Sequence, residues 1–353
     1  MKIVAAIDSL KGCLSSWDAC LAVAEGVRQR WPEAEVMCLP VSDGGEGWLE
    51  AFERGRPGKW NKREATALDP LLRPILAHYL QDEEVAIIEI AEVCGLALLQ
   101  PEERSPLRAT TYGLGELITE AYRQGCRKFM VGLGGSGTSD AGQGMVEALS
   151  PTLPDLQRHC RFTIATDVNN PLLGVHGAAT VFAPQKGATP IMVQELEERA
   201  RSFAEENARR TGKDCASQPG AGAAGGLGYA FMQFLNAERH SGAELLLETL
   251  HFDTLIKDAD LVITGEGSAD RQTLMGKLPS IVLQYAKRAG IPCLLIAGRT
   301  DPATDFLEAG FSSVHCINPP TLSLAKAMKP EVARKNIIAT MYGATDCLPF
   351  APK

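Results

Sequence analysis

The chain has no C-x-x-C pair, no H-E-x-x-H motif and no G-x-x-x-x-G-K-[ST] loop. Each absence removes a class of function. The 10 cysteines fall singly, several inside apolar segments (Cys38, Cys94, Cys293, Cys316), so buried thiols are expected rather than disulfides or a zinc site. Gly276-Lys277 is followed by leucine, and position 271 is arginine, which excludes a P-loop ATPase. A basic excess is also missing. The net charge of -8 and a pI near 5.4 argue against nucleic acid or an anionic membrane as partner. No apolar run is long enough to span a bilayer, and "MKIVAAID" enters a strand pattern without a basic region or cleavage site, so a cytoplasmic protein is expected.

What is present is enough apolar material for more than one core: 353 residues, 45% of them hydrophobic. Lys2 to Ile7 reads as a strand. Ser15 or Ser16 then caps a helix whose apolar residues Trp17, Leu21, Ala24 and Val27 recur at helical spacing, and Glu35 to Leu39 closes a β-α-β unit. Three more strand-then-helix units follow at the far end: Leu261 to Thr264 with a helix near 279–289, Pro292 to Ala297 with one near 302–309, and Val314 to Ile317 with one near 322–343.

Five strands alternating with helices indicate a doubly wound, parallel α/β sheet of flavodoxin or Rossmann type, with expected order 2-1-3-4-5. It is built from both chain ends, 1–55 and 256–353. An inserted mixed α/β domain takes 56–255, with strands at Arg73 to Tyr79, Val85 to Ile90, Lys128 to Leu133, Phe162 to Thr166 and Ala179 to Phe182. Its helices are expected at Tyr112 to Gln124, about 191–210 and about 223–236. The active-site cleft is expected between the two domains. The strand order puts a switch point between strands 1 and 3, whose tips read Asp8-Ser-Leu-Lys-Gly12 and Thr264-Gly-Glu-Gly267.

Glycine-rich turns let backbone N–H groups approach an anion closely. Gly134-Gly135-Ser136-Gly137-Thr138-Ser139-Asp140 lies between a strand and a helix and suits a phosphate or carboxylate. Gly220-Ala-Gly222-Ala-Ala-Gly225 spells G-x-G-x-x-G, but "TGKDCASQ" before it is no strand, so the dinucleotide reading fails. Carboxylates recur at strand tips, at Asp8, Asp43, Asp167, Glu266 and Asp270, with Lys11, Lys186 and Lys277 close in sequence. Magnesium-nucleotide chemistry needs such groups: one or two carboxylates for the ion, another for the attacking hydroxyl, and lysines against phosphate oxygens.

"DSLKG", "VSDGGEG", "IEIAEVCGLALLQPEERSPL", "GLGGSGTSDAGQGM", "TDVNNPLLGVHGA", "VFAPQKGA", "PGAGAAGGLG" and "VITGEGSADRQTLMGK" follow one another nearly end to end. Together they resemble the bacterial glycerate kinase family. The resemblance implies two α/β domains and phosphoryl transfer from Mg-ATP to a hydroxyl of D-glycerate, usually giving 2-phosphoglycerate. Residue chemistry and motif position then make Asp43 the general base, with Lys11 and Asp270 beside it as catalytic residues. Glu266 and Asp270 become the metal carboxylates, with Asp8 or Asp167. Lys11, Lys186 and Lys277 neutralise phosphate. Substrate and phosphate contacts are expected from Asp8, Ser9, Gly44, Gly45, Gly134, Gly135, Ser136, Thr138, Asp140, Asp167, Asn169, Gln185, Lys186, Gly220, Gly222, Gly265, Gly267, Gln272 and Lys277. The expected ligands are Mg2+, ATP and a small hydroxy acid, with no nucleic acid or membrane partner.

The chain also departs from the family. A-P-D-S-[FY]-K becomes Ala6-Ile7-Asp8-Ser9-Leu10-Lys11, T-T-S-x-G becomes Thr110-Thr111-Tyr112-Gly113 after Ala109, and Ser139 and Ala141 stand where asparagine and glycine are usual. G-E-G-R-I-D becomes Gly265-Glu-Gly-Ser268-Ala269-Asp270, removing an arginine, and "SPTLPDLQRHC" replaces a longer connection. These departures leave two alternatives: a kinase for a different hydroxy acid, or a sensor that binds glycerate or nucleotide without turnover.

Overall fold

The computed structural model describes residues 1–344 of the 353. Its strands form two sheets. β1 (Lys2–Ile7) and β2 (Glu35–Cys38) begin the first; β3 (Asn61–Leu68), β4 (Pro74–Asp82), β5 (Val85–Glu89), β6 (Lys128–Gly132), β7 (Arg161–Ala165) and β8 (Glu238–His240) form the second. The chain then returns to the first sheet with β9 (Leu261–Glu266), β10 (Cys293–Ala297) and β11 (Ser313–Cys316). Two compact units result, one from Met1–Asp43, Glu50–Arg56 and the chain from Ala243 on, the other from Gly44–Leu49 and Pro57–Gly242.

The first sheet runs β11-β10-β9-β1-β2 with every pair parallel, the doubly wound order expected from the sequence. All six residues of β9 are buried, as a central parallel strand covered on both faces requires. Helix Ser16–Arg30 starts at Ser15, whose side chain accepts the Asp18 N–H at 3.0 Å. Its buried stripe is Ala19, Cys20, Val23 and Val27, whereas Leu21 of the expected stripe is exposed. Small residues line the inner face because helix Pro330–Ala344 packs close: a Cβ on Gly26 would lie 2.5 Å from the Ile338 carbonyl oxygen.

The second sheet runs β3-β4-β5-β6-β7-β8, antiparallel through β3, β4 and β5 and parallel from β5 to β8. Its core is aromatic at the centre, with Phe129 stacked on Phe162 at 4.6 Å between ring centroids. "SPTLPDLQRHC" folds as helix Leu153–His159, a short bridge from helix Gln143–Leu149 to β7. Among the described residues no helix is long and apolar enough to cross a membrane.

Several expected elements differ. Ala179 to Phe182 is not a strand but part of helix Ala178–Phe182; β7 already has β6 and β8 as neighbours, and Ala179 packs instead with Ala183 and Leu196. No helix forms at 302–309, because Asp301 and Asp305 turn their carboxylates onto the nearby N–H groups of Ala303 and Glu308. The final helix is broken into Leu324–Ala327 and Pro330–Ala344, with Pro330 opening the second piece. Residues 345–353 of the expected terminal domain lie outside the described residues. β3 went unread because its outer residues Asn61 to Glu64 are all polar and exposed. Finally, β9 does not end at Thr264 but continues through Glu266.

Candidate active site

In the first unit the candidate residues gather at the carboxyl ends of β1 and β9. The Asp8 N–H donates to the Gly265 carbonyl at 2.9 Å, tying the two tips together. Ser9 donates its N–H to Asp8 Oδ1 at 2.7 Å, and Lys11 Nζ lies 3.2 Å from Asp43 Oδ2. Burial, with Asp43 nearby, pushes the Asp8 carboxyl well above the usual carboxylate range, against the pull of Lys11. Asp43, helped by Asp8, raises the Lys11 pKa and keeps its ammonium charged.

Glu266 ends β9 with its carboxylate buried, and its Oε1 accepts the Thr273 hydroxyl at 2.6 Å. Burial raises its pKa, while the Thr273 bond and Lys277 lower it. Lys277 Nζ stands 3.8 Å from Glu266 Oε2 and 3.9 Å from Asp270 Oδ1. Asp270 caps the short turn Arg271–Leu274, accepting the Gln272 N–H at 2.8 Å, and its own N–H donates to Thr273 Oγ1. Gly265 serves the sheet, since a Cβ there would lie 2.4 Å from the Ile296 carbonyl; Gly267 has only Leu10 Cα near, at 3.9 Å. Ala269, inside the stretch that lost an arginine, is buried and pairs by backbone with Arg299 and Asp301.

In the second unit the expected phosphate loops interlock. The Gly134 N–H donates to the Gly44 carbonyl at 2.9 Å, and a Cβ on Gly134 would meet Gly45 Cα at 2.1 Å. Gly44 has φ +95°, and its Cβ would meet the Ala165 carbonyl at 2.7 Å. In the loop itself, the Gly137 N–H donates to Cys94 and the Thr138 N–H to Ser136 Oγ, so the N–H groups of Gly135 and Ser136 have no partner among the described residues. Two consecutive N–H donors, with Gly135 at φ +71°, give the loop the kind of concavity that can accept an anion.

Lys186 lies behind this loop, only 3% exposed, and donates to the Thr138 carbonyl at 2.6 Å and to Ser136 Oγ at 3.4 Å. Burial pushes its pKa down to about 8, against the opposing charge of Asp140. Asp140 commits both oxygens to the protein, accepting from Thr111 N–H and Oγ1–H, Gly142 N–H and Gly144 N–H. Gln185 is exposed.

The 220–226 turn packs on two neighbouring loops. A Cβ on Gly222 would meet the Pro171 carbonyl at 2.3 Å, and one on Gly225 the Thr138 carbonyl at 2.1 Å. Arg239 braces the turn beside Gly220 and donates to Asn169 Oδ1 at 2.9 Å; Asp167 is exposed in the same loop.

Thr273 and Arg239 escaped the sequence reading, as did Glu89. Thr273 stands inside the quoted "DRQT", three residues after Asp270, the spacing of a reciprocal cap, so a signal existed. Glu89 ends an apolar strand, and its donors are main-chain groups that leave no mark in the sequence. Arg239 gave no sequence signal.

No group of three His, Cys, Asp or Glu among the described residues forms a ready-made metal cage. Magnesium does not need one: it keeps several waters and takes one or two carboxylates plus substrate phosphates. Glu266 and Asp270 already converge on one cation, the Lys277 ammonium, so this oxygen donor pair fits the ion.

The chain matches the family model described as the glycerate kinase family over residues 3–159 and 151–347, and it belongs to that family. It is 36% identical to the glycerate kinase of Halalkalibacterium halodurans, with 95% of this chain and 97% of that protein covered. It is equally 36% identical to the glycerate 2-kinase of Escherichia coli K12, covering 97% and 98%. A crystal structure of a protein assigned as glycerate kinase 2, from Salmonella typhimurium LT2, superimposes with a TM-score of 0.79 at 35% identity, covering 98% of both chains.

Proposed function

We propose that the protein transfers the γ-phosphoryl group of ATP to a hydroxyl of D-glycerate, giving 2-phosphoglycerate. The observation that carries this is the set of four carboxylates and two lysines, Asp8, Lys11, Asp43, Glu266, Asp270 and Lys277, gathered at the β1 and β9 tips of a chain in this family.

Asp43 takes the proton of the substrate hydroxyl, whose oxygen then forms the new bond to the γ-phosphorus as the bond to the bridging oxygen of ADP breaks. Lys11 and Lys277 are the exposed cations, with side chains 74% and 40% accessible, and each can turn from its carboxylates toward a phosphate oxygen. Magnesium, when bound by Glu266 and Asp270 with Asp8, supplies further neutralisation of the nucleotide's phosphate charge. The Thr273 hydroxyl fixes Glu266, and the Asp270 cap fixes its own carboxylate, so both are oriented before ligand arrives. Within the second unit, the N–H groups of Gly135 and Ser136, with Lys186 behind them, suit a carboxylate or phosphate group.

The test is a panel of small hydroxy acids, D-glycerate included, incubated with ATP and magnesium and read by product NMR. D-Glycerate is expected to be turned over with the highest kcat/KM. Turnover confined to another acid would sink the glycerate assignment and leave the kinase class standing. Nucleotide binding without any turnover would favour a sensor.

A further inference from the structure

We propose that Glu89 is a positioning residue for phosphoryl transfer, its carboxylate clamping the Gly44–Leu49 segment that follows Asp43 in the chain. The inference rests on the reading of Asp43 as the base. Glu89 closes β5 and is only 8% exposed. Its Oε1 accepts the Gly47 N–H at 3.2 Å and its Oε2 the Leu49 N–H at 3.0 Å. Both donors belong to the start of helix Trp48–Gly55, where unsatisfied N–H groups favour a negative partner.

Three strand tips hold this segment. Gly134, after β6, donates to the Gly44 carbonyl, and Ala165, ending β7, leaves no room for a side chain at Gly44. Glu89 supplies the third anchor, and the only one of the three made by an ionisable side chain.

Burial pushes the Glu89 carboxyl up to about 7 against its two N–H bonds, and the charged groups acting on it, Glu92 and Glu46, push it the same way. No cation bonds it. A buried, like-charged carboxylate is a costly way to stabilise a fold, since a neutral side chain of similar size avoids the desolvation. What it supplies is geometry: two hydrogen bonds from one buried side chain to the backbone a few residues beyond the proposed base. Misplacement by about 1 Å can cost on the order of a hundredfold in rate.

The test uses the full chain with Glu89→Gln and Glu89→Ala. Glutamine keeps one acceptor and turns an N–H donor toward the other amide, so it removes one bond; alanine removes both. The expected kcat losses are about tenfold and about a hundredfold, with KM for ATP and glycerate within about threefold of wild type. Leu149→Ala, a core truncation in the same unit, serves as a stability control and keeps the wild-type kcat in the folded protein. Amide hydrogen exchange at Gly47 and Leu49 is expected to rise at least about tenfold in both Glu89 variants.

Unchanged exchange overturns the clamp. Faster exchange with unchanged kcat, or a kcat loss matched by Leu149→Ala at equal thermal stability, overturns the positioning role. A wild-type protein inactive on glycerate but active on another acid counts against the substrate reading alone, and the same kinetic comparison is then read with that acid.

Discussion

The charged cluster at the β1 and β9 tips and the glycine loop after β6 are built by opposite means. In the first, the lysines are accessible even where a carboxylate beneath them is buried: Lys11 meets Asp43 at 3.2 Å, and Lys277 stands 3.8 Å from buried Glu266 and 3.9 Å from Asp270. In the second, the lysine is buried, its ammonium bonds a main-chain carbonyl, and glycines fit against backbone with no space for a methyl group. Exposed pairs of this kind add little stability, so the first cluster is free to exchange its partners for a phosphate. The second is set once by folding. One region provides movable charge and the other fixed donors, and substitutions should separate them.

Asp43→Asn breaks the first region at the proposed base. Turnover should fall about a thousandfold, within the range for a lost general base, while thermal stability stays within about 1 kcal/mol of wild type because the pair with Lys11 is exposed. Steady-state kinetics beside a melting curve checks both halves. Gly134→Ala breaks the second region differently: the new Cβ collides with Gly45, so stability should drop by about 2–4 kcal/mol and kcat by about a hundredfold. A Gly134→Ala protein with wild-type stability and turnover would remove the claim that this loop is set by packing.

Thr273→Val sharpens the account of the first region. Glu266 loses its 2.6 Å hydroxyl donor, and since that bond holds its pKa down, the carboxyl should move further up. An unsatisfied buried acceptor costs about 1–3 kcal/mol, and the apparent KM for Mg-ATP should rise about fivefold, read by titrating ATP at fixed excess magnesium.

The smallest effect concerns Lys186. Burial lowers its folded pKa from 10.5 to about 8, so between those values the unfolded chain binds the extra proton and the folded chain does not. Stability contributed at this site should therefore rise as pH climbs from about 8 toward 10.5. Denaturant unfolding of wild type and Lys186→Met across that window should show wild type gaining on the variant; parallel curves would mean that the ammonium is not desolvated.

The two regions also differ in how legible they were. The first sheet was readable to the strand order, because continuous apolar runs such as Leu261 to Ile263 and Leu294 to Ile296 are what a doubly covered parallel strand demands. The charged residues at its tips were readable too, by their recurrence at several tips, although any single one also suits a turn or a helix cap. Backbone fit was less visible. Gly134 and Gly44 read as anion-binding glycines, but their contact with each other depends on residues 90 positions apart, which no local pattern encodes. The same holds for the second sheet's edges: β3 is polar along its outer half, and "AATVF" has strand composition yet helical neighbours. Glu89 was hidden because its donors, Gly47 and Leu49, are main-chain groups and leave no mark in the side-chain pattern.

The most direct test compares wild type and Asp43→Asn on ATP and D-glycerate, with the product identified by 31P and 13C NMR. Wild type should form 2-phosphoglycerate with one ADP per turnover, and the folded Asp43→Asn protein should do so about a thousandfold more slowly. Equal rates in the two proteins, or ADP formed without any phosphoglycerate, would contradict it.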